Sequence, residues 1–207
     1  MLWLDSVLGS LHAPVNVSVI SVNFHHVLHW DPGPGTPPGI QYMVFRRMEG
    51  KKRKTLNTTT TSLKLKLEKH STYRLTVQAS YNQTLSPESH EVIFTPYEDT
   101  KIGPPIVSLA GCGNCIQINM SLPEADRSSG ITNIQEFFDA TFRIQLFLRG
   151  ENKAVDYCET RNKSYTINYL KSGMEYCVQV HTKINMNKNT EPSSWKCTFT
   201  SIVESRR

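Results

Sequence analysis

The sequence predicts an all-β protein made of two β-sandwich domains in tandem. Apolar and polar residues alternate in short runs, which is the two-residue period of a strand with one buried face. The alternation stops near the middle of the chain, at a segment with two prolines and a glycine, and then starts again. The length of 207 residues suits two domains of about 100 residues each. Short strands at this spacing favour sandwich domains.

Six alternating runs fill the first predicted domain, residues 14–96. They cover residues 15–19, 28–30, 42–44, 63–67, 73–79 and 92–94. In the fifth run Tyr73 and Leu75 alternate with Arg74 and Thr76, and no run shows a sustained helical stripe. We expect the polar stretch at 55–62 to be mobile. Residues 1–13 are interpreted as a signal-peptide remnant or a disordered start.

A linker at residues 97–103 is predicted to lead into a second domain, 104–202, and a charged, juxtamembrane-like tail, 203–207. The second domain has runs at 107–109, 116–122, 142–148, 165–167, 176–180 and 197–199, and a predicted helical turn at 134–138. Tyr73 follows Leu67 by six residues, and Tyr176 follows Leu170 by six. This spacing predicts a tyrosine corner in each domain, with the hydroxyl group bonded to upstream backbone.

Composition and motifs argue against an enzyme. The net charge is +5, and the run at 51–54, KKRK, is interpreted as a solvated hairpin turn in preference to a heparin patch or nuclear signal. The other basic residues look scattered, which argues against nucleic-acid binding. No segment approaches the ~18 apolar residues of a membrane span, and no nucleotide-binding or nucleophile motif is present. His25 and His29 lie about 13 Å apart along one strand face, too far to share an ion. We predict no catalytic residue, cofactor or metal.

Glycosylation sequons point to an extracellular location. Five Asn-x-Ser/Thr sequons occur, at Asn16, Asn57, Asn82, Asn119 and Asn162. Asn16 and Asn119 each lie between apolar residues of an alternating strand. Their side chains are therefore predicted to point away from the core, as attachment of a glycan requires.

All five cysteines lie in the second half of the chain. Cys177 is out of phase with the inward-facing residues of its strand, so it is predicted to face outward and to pair with Cys197 on the last strand. A bridge closing a loop of about 20 residues contributes roughly 3 kcal/mol. For Cys112, Cys115 and Cys158 the pairing stays open: Cys158 bonds to one of the other two, or a bridge closes within the Cys112–Cys115 turn, and one thiol is left over.

Three segments resemble the class II cytokine receptors, the interferon and interleukin-10 receptor family. Residues 21–30, SVNFHHVLHW, are similar to the second strand of that family, and residues 94–105, FTPYEDTKIGPP, to its inter-domain linker. Residues 136–138, EFF, resemble a second-domain segment of the interleukin-22 receptors and binding protein; other similar members are the interleukin-10 receptor β chain and type I interferon receptor chains. The resemblance implies two tandem fibronectin type III domains, which have an immunoglobulin-like sandwich fold. The chain departs from the family in having no cysteine before residue 112.

The resemblance also implies a function: the ectodomain binds a helical cytokine, an interferon or a member of the interleukin-10 family, at the elbow between the domains. It then pairs with a second receptor chain, signals through kinases, and is held in the cell membrane by a segment beyond this sequence. Loop positions select the ligand-binding candidates. They are Asn23, Phe24, Met48, Lys51, Lys52, Arg53, Lys69, His70 and Tyr97 in the first domain, and Gln135, Phe137, Phe138, Met186, Asn187 and Lys188 in the second.

Besides a protease cofactor that resembles tissue factor and is expected to bind a clotting protease, two alternatives have other consequences for the cell. The first is a secreted decoy receptor of the same fold, which sequesters the cytokine without signalling. The second is an adhesion protein that uses fibronectin modules structurally, and this alternative predicts no cytokine binding.

Overall fold

The computed structural model describes residues 10–202, which consist mainly of antiparallel strands. The chain divides after Thr100 into two compact units, and we call the described residues 10–100 unit 1 and 101–202 unit 2. Most of the predicted signal-peptide segment and the whole predicted tail at 203–207 lie outside the described residues. Leu11, near the start of unit 1, packs against its core. The predicted domain limits remain predictions; the division falls within the predicted linker.

Unit 1 contains two facing sheets. One has the strand order β1-β2-β5, and the other has the order β4-β3-β6-β7 with β8 also paired to β6. The strands are β1 Val15–Val22, β2 His25–Asp31, β3 Gln41–Met48, β4 Lys54–Thr58, β5 Ser62–Leu65, β6 Tyr73–Tyr81, β7 Thr84–Leu85 and β8 Val92–Phe94. A helical turn, α1, follows at Pro96–Asp99.

The core of unit 1 lies between its two sheets. Leu28 and Trp30 of β2 meet Val44 of β3 and Leu75 and Val77 of β6, and all five are fully buried. These are the inward positions of the two-residue pattern. Burial of each such side chain contributes about 1.5–3 kcal/mol, so this layer holds the two sheets together.

Unit 2 repeats the arrangement with sheets of order β13-β10-β9 and β12-β11-β14-β15. Its strands are β9 Ile106–Gly111, β10 Ile116–Ser121, β11 Thr141–Leu148, β12 Val155–Thr160, β13 Ser164–Ile167, β14 Glu175–Lys183 and β15 Lys196–Phe199. A 3-10 turn at Arg127–Ser129 and the helix α2 at Ile134–Phe138 lie between β10 and β11. Ile116, Ile118, Phe142, Ile144 and Val178 form the centre of the core. No helix of residues 10–202 is long and apolar enough to cross a membrane.

Both tyrosine corners are present. The hydroxyl group of Tyr73 accepts a hydrogen bond from the backbone N–H of Glu68 at 2.8 Å. In unit 2 the hydroxyl group of Tyr176 accepts one from the N–H of Lys171 at 2.9 Å. The six-residue spacing of Leu and Tyr in the sequence therefore predicted the tyrosine corner of both units correctly.

The sequence did not predict three strands, the two-residue β7 and the longer β4 and β12. Residues 55–58, expected to be mobile, belong to β4, which pairs with β3 from Tyr42 opposite Thr58 to Arg46 opposite Lys54. Almost every residue of β4 is exposed. Because an edge strand with little burial needs no apolar alternation, the sequence carried no signal of it. The same reason applies to β12, of which only the second half is partly buried.

The predicted linker begins with helix α1. Pro96 occupies the first turn, where its missing N–H costs no hydrogen bond. The carboxylate of Asp99 accepts from the backbone N–H of Thr95 at 2.8 Å, and the N–H of Thr100 donates to the carbonyl group of Pro96 at 3.0 Å. The first proline of the linker motif therefore starts a helical turn that belongs to unit 1.

The structure contains two disulfides. Cys177 and Cys197, opposite each other on β14 and β15, are bonded, as the strand pattern predicted. Cys112 and Cys115 are bonded within the β9–β10 turn, and Cys158 is a free, half-buried thiol. Of the pairings that the sequence left open, the structure therefore contains the bridge within the turn.

Cys177 lies on the outer face of its sheet, as predicted, but that face does not leave it exposed to solvent. Cys177 is not part of the inward core cluster, yet it is only 1% exposed. It lies opposite Phe147 on β11, and the ring of Trp195 packs on Phe147 with 4.8 Å between ring centroids. The outer face of the sheet therefore has an aromatic pair next to the disulfide.

Candidate functional site

Four connections meet at one end of unit 1, and most of the predicted ligand-binding residues of this unit belong to them. The backbone N–H of Tyr97 in α1 donates to the carbonyl group of Lys69 in the β5–β6 loop at 2.8 Å. The rings of His70 and Tyr97 lie 4.8 Å apart. The N–H of Glu49, in the β3–β4 turn, donates to the carbonyl group of Thr72 at 3.3 Å. The helix, the loop and the turn are therefore linked directly.

The β1–β2 turn joins the same end through Thr100. Asn23 and Phe24 both have positive φ, 50° and 65°, as a tight type I′ hairpin turn requires. The hydroxyl group of Thr100 accepts from the N–H of Phe24 at 3.1 Å and lies 2.6 Å from the hydroxyl group of Ser21. Ser21 in turn lies 2.6 Å from Nδ1 of His26. This buried polar chain holds the end of α1 against the first hairpin.

The predicted residues of unit 1 differ in accessibility. Lys51, Lys52 and His70 are exposed, whereas Asn23, Met48, Lys69 and Tyr97 are half-buried. Phe24 is only 2% exposed, because its ring turns inward towards His26. The prediction that Phe24 contacts a ligand is therefore corrected: it supports the turn.

The predicted contact residue Arg53 interacts with other residues of unit 1. Its guanidinium group lies 3.6 Å from the centroid of the Phe45 ring and donates to Glu88 at 2.6 Å. Phe45 and its cross-strand partner Thr76 stand on the outer face of the sheet, out of phase with Val44 and Val77 of the core. The side chain of Arg53 is thus engaged on the outer face, and its contact with a ligand stays a prediction.

In unit 2, helix α2 and the β14–β15 loop leave the sheet at the same end, because Thr141 of β11 pairs with Lys183 of β14. The side chain of Asn133 caps the helix by accepting from the N–H of Glu136 at 3.0 Å. Asp139, with a φ of 53°, ends it in the left-handed conformation. A capped turn of five residues therefore presents Phe137 at this end.

The predicted residues of α2 divide between surface and core. Phe137 is half-buried, and its ring lies edge-to-face on Phe138 at 5.0 Å. Phe138 is 7% exposed and Gln135 is 8% exposed. The side-chain amide of Gln135 donates to the carbonyl group of Arg161 at 2.9 Å. Gln135 and Phe138 therefore fix the helix on the unit, and Phe137 is the member of the predicted set that remains accessible.

The β14–β15 loop shows the same division. Met186 is 56% exposed, and Lys188 is exposed with its ammonium group 3.4 Å from the carbonyl oxygen of Ile184. Asn187 is 1% exposed, and its side-chain oxygen accepts from the N–H of Asn189 at 2.8 Å. Asn187 therefore shapes the loop, which corrects its predicted role as a contact.

Sequence reasoning missed a polar cluster on the outer face of unit 2. Nε2 of His181 lies 3.2 Å from Oε1 of Gln145 and 3.1 Å from Oε1 of Gln179. Burial lowers the pKa of His181, the positive charge of Arg143 lowers it further, and Asp156 raises it in opposition. The alternation of the sequence could have indicated this cluster. Arg143, Gln145, Gln179 and His181 all occupy outward positions of β11 and β14.

Among the described residues, one group of side chains has the composition of a metal site, and its sulfur atoms are not available to an ion. The one acidic and sulfur group close enough to hold an ion consists of Glu175, Cys177 and Cys197, and both sulfur atoms are in a disulfide. Burial raises the pKa of the Cys158 thiol, so at neutral pH this cysteine is a poor nucleophile. The asparagines of all five sequons are exposed.

Comparisons with known proteins give the family. Residues 100–201 match the family model described as interferon-alpha/beta receptor, fibronectin type III, and residues 1–88 match the model described as tissue factor. Interferon alpha/beta receptor 2 of Oncorhynchus mykiss is 30% identical over 212 residues, which cover 97% of this chain and 78% of that protein. The chain belongs to the class II cytokine receptor family.

Other class II cytokine receptors are similar over much of the chain. Interleukin-22 receptor subunit alpha-2 of Rattus norvegicus is 23% identical, covering 80% of this chain and 77% of that protein. Interleukin-10 receptor subunit beta of Mus musculus is 26% identical and covers 84% of this chain but 50% of that protein. The family is not enzymatic, which confirms the expectation drawn from the motifs.

A solved structure confirms the fold. The chicken interferon gamma receptor alpha chain superposes with a TM-score of 0.69 at 21% identity, covering 93% of this chain and 100% of that chain. Together with the match to a fibronectin type III model, this confirms the prediction of tandem fibronectin type III sandwiches.

Proposed function

We propose that this class II cytokine receptor chain is an extracellular ligand-binding region that captures a helical cytokine. An interferon is the first candidate, because the 30% identical relative is an interferon alpha/beta receptor 2 and the model matching residues 100–201 describes the same receptor type. That agreement is the observation that carries the proposal. A cytokine of the interleukin-10 family is the second candidate, since interleukin-10 receptor subunit beta is 26% identical.

Each unit contributes a proposed contact surface, made of the accessible residues at its loop end. In unit 1 they are Tyr97 with His70 against its ring, the exposed Lys51 and Lys52, and the half-buried Asn23, Met48 and Lys69. In unit 2 they are Phe137, Met186 and Lys188. Aromatic and methionine side chains carry a large share of interface energy when a partner buries them, whereas exposed lysines mainly affect the rate of association.

The extracellular location and the signalling step belong to the same proposal. Two disulfides and five exposed sequon asparagines suit an oxidising, glycosylating compartment. We propose that the bound cytokine brings a second receptor chain alongside, and that a membrane anchor places the pair at the cell surface.

The direct test is a binding panel. The chain, secreted in glycosylated form from insect or mammalian cells, is immobilised and exposed to interferons and interleukin-10-family cytokines of the species that encodes it. We expect saturable binding to at least one interferon. Binding confined to an interleukin-10-family cytokine selects the second candidate, and absence of binding across a panel of folded, active cytokines contradicts the proposal.

A further inference from the structure

The cations of unit 1 are concentrated in one part of its chain. Residues 46–74 contain ten Lys and Arg residues and two acidic residues, Glu49 and Glu68. The remaining described residues of unit 1 contain five acidic residues and no Lys or Arg. The scattered distribution expected from the sequence therefore does not hold within unit 1, and the run at 51–54 is one section of a longer basic segment.

The fold brings much of this segment to one edge of the sandwich. Strand β4 is the edge of its sheet, and β5 is the edge of the facing sheet. Arg46, opposite Lys54 in the register, reaches from one sheet to the other and donates to the carbonyl group of Lys66 at 2.6 Å. We call this surface the basic edge; it consists of Arg46, Lys51, Lys52, Lys54, Lys64 and Lys66.

Four lysines of the basic edge, Lys51, Lys52, Lys54 and Lys66, have exposed charges. Arg53 and Arg74, which lie outside it, are each neutralised by a glutamate at 2.6 Å. In contrast, Lys51, Lys52, Lys54 and Lys66 are exposed and form no ion pair with any residue between 10 and 202. Asn57, three residues from Lys54 on β4, lies on the opposite strand face, so a glycan there leaves the edge open.

We propose that the basic edge binds a sulfated glycosaminoglycan. Lys54 lies on edge strand β4 and Lys64 on edge strand β5. Lys51 and Lys52 lie in the β3–β4 turn, and Lys66 follows directly after β5, so these side chains form an elongated positive surface. A linear polyanion that spans several such charges releases its counterions and gains affinity with each contact. The proposal does not depend on cytokine binding.

A sulfated polysaccharide fits this surface better than a nucleic acid does. Single-stranded nucleic acids bind on grooves in which aromatic side chains stack on the bases. Strands β4 and β5, KTLNT and SLKL, contain no aromatic residue. The two disulfides indicate an oxidising compartment, where sulfated polysaccharides are the abundant linear polyanions.

The test compares two variants of the intact chain with equal net charge. In the first, Lys54→Gln, Lys64→Gln and Lys66→Gln remove three charges from the basic edge without touching Lys51 or Lys52, which are also cytokine-contact candidates. In the control, Lys153→Gln, Lys163→Gln and Lys171→Gln remove three exposed charges from unit 2. Binding to immobilised heparin is measured at physiological salt, with circular dichroism to verify folding.

We expect the edge variant to bind heparin at least tenfold more weakly than the parent chain, and the control variant to stay within about twofold. Equal losses in the two variants would show that net charge alone drives binding and would overturn the proposal. Failure of the parent chain to bind would overturn it as well. In competition, N-desulfated heparin should displace the bound chain at least tenfold less well than heparin, and single-stranded DNA that competes as well as heparin would contradict a sulfated ligand.

Discussion

Single hydroxyl groups fix the loop before strand six in each unit. The hydroxyl groups of Tyr73 and Tyr176 each accept a partly buried hydrogen bond from a backbone N–H. Sequence reasoning found these two positions because the tyrosine corner is a local device with a fixed spacing. It failed at Phe24, Phe138 and Asn187, whose burial depends on tertiary contacts that alternation does not encode.

Replacement of Tyr73 by Phe tests the corner. The variant leaves the N–H of Glu68 without its acceptor, and the loss of a partly buried hydrogen bond costs about 0.5–1.5 kcal/mol. We expect the free energy of unfolding from urea denaturation to fall by that amount. Tyr169→Phe is the matched control, since Tyr169 is 94% exposed, and its effect should stay within about 0.5 kcal/mol. Equal stability of the two variants would show that the hydroxyl contact of Tyr73 is energetically unimportant.

His181 makes the stability of unit 2 sensitive to acid. Its pKa is lower in the folded chain than its ordinary value, owing to burial and the charge of Arg143, so the unfolded chain binds the proton more readily. The stability contribution is complete above about pH 6.5 and decreases as the pH falls below that value. We expect the urea midpoint to decrease between pH 7.5 and 5.5, and the decrease to be smaller in His181→Asn. An identical pH dependence in the variant would exclude His181 as the source.

At the scale of elements, the predictability of a strand depended on how much of it is buried. The strands β1, β2, β3, β6, β11 and β14 carry the apolar alternation and were predicted correctly from it. The exposed β4 and β12 were not, and α1 was interpreted as linker because Pro96 signals equally an extended segment and a helix start.

The two disulfides should differ in their effect on stability. Cys177–Cys197 closes a separation of 20 residues and Cys112–Cys115 a separation of 3. Loop-closure entropy gives about 3.3 kcal/mol for the first and about 1.6 kcal/mol for the second. We expect Cys177→Ala with Cys197→Ala to lower the free energy of unfolding about twice as much as Cys112→Ala with Cys115→Ala, measured by guanidinium unfolding. The reverse order would mean that native-state contacts outweigh chain entropy at these sites.

At the scale of the whole molecule, the fold and the family could be predicted from short motifs, although these motifs cover only a small part of the chain. Residues 21–30 and 94–105 resembled one family, and the comparisons give that family over 97% of the chain. The contact residues were less predictable, because a loop position specifies which end of a unit a residue occupies but not whether its side chain points outward. Of the residues expected at the two ends, Tyr97, His70, Phe137 and Met186 are accessible, and Gln135 and Asn187 are not.

The central proposal is that each unit contributes contacts to the same cytokine through its loop end. The most direct measurement is the affinity for the cytokine identified in the panel, determined for Tyr97→Ala, Phe137→Ala, the double variant and the control Tyr169→Ala. Tyr169 precedes β14, whereas Phe137 lies at the end where β14 finishes, so the control removes an exposed aromatic ring from the opposite end of unit 2.

We predict that each single replacement weakens binding and that the double variant binds at least about tenfold more weakly, a loss of about 1.4 kcal/mol or more. The control should keep the affinity of the parent chain. Unchanged binding by a folded double variant, or an equal loss in the control, would contradict the claim that these two ends hold the ligand.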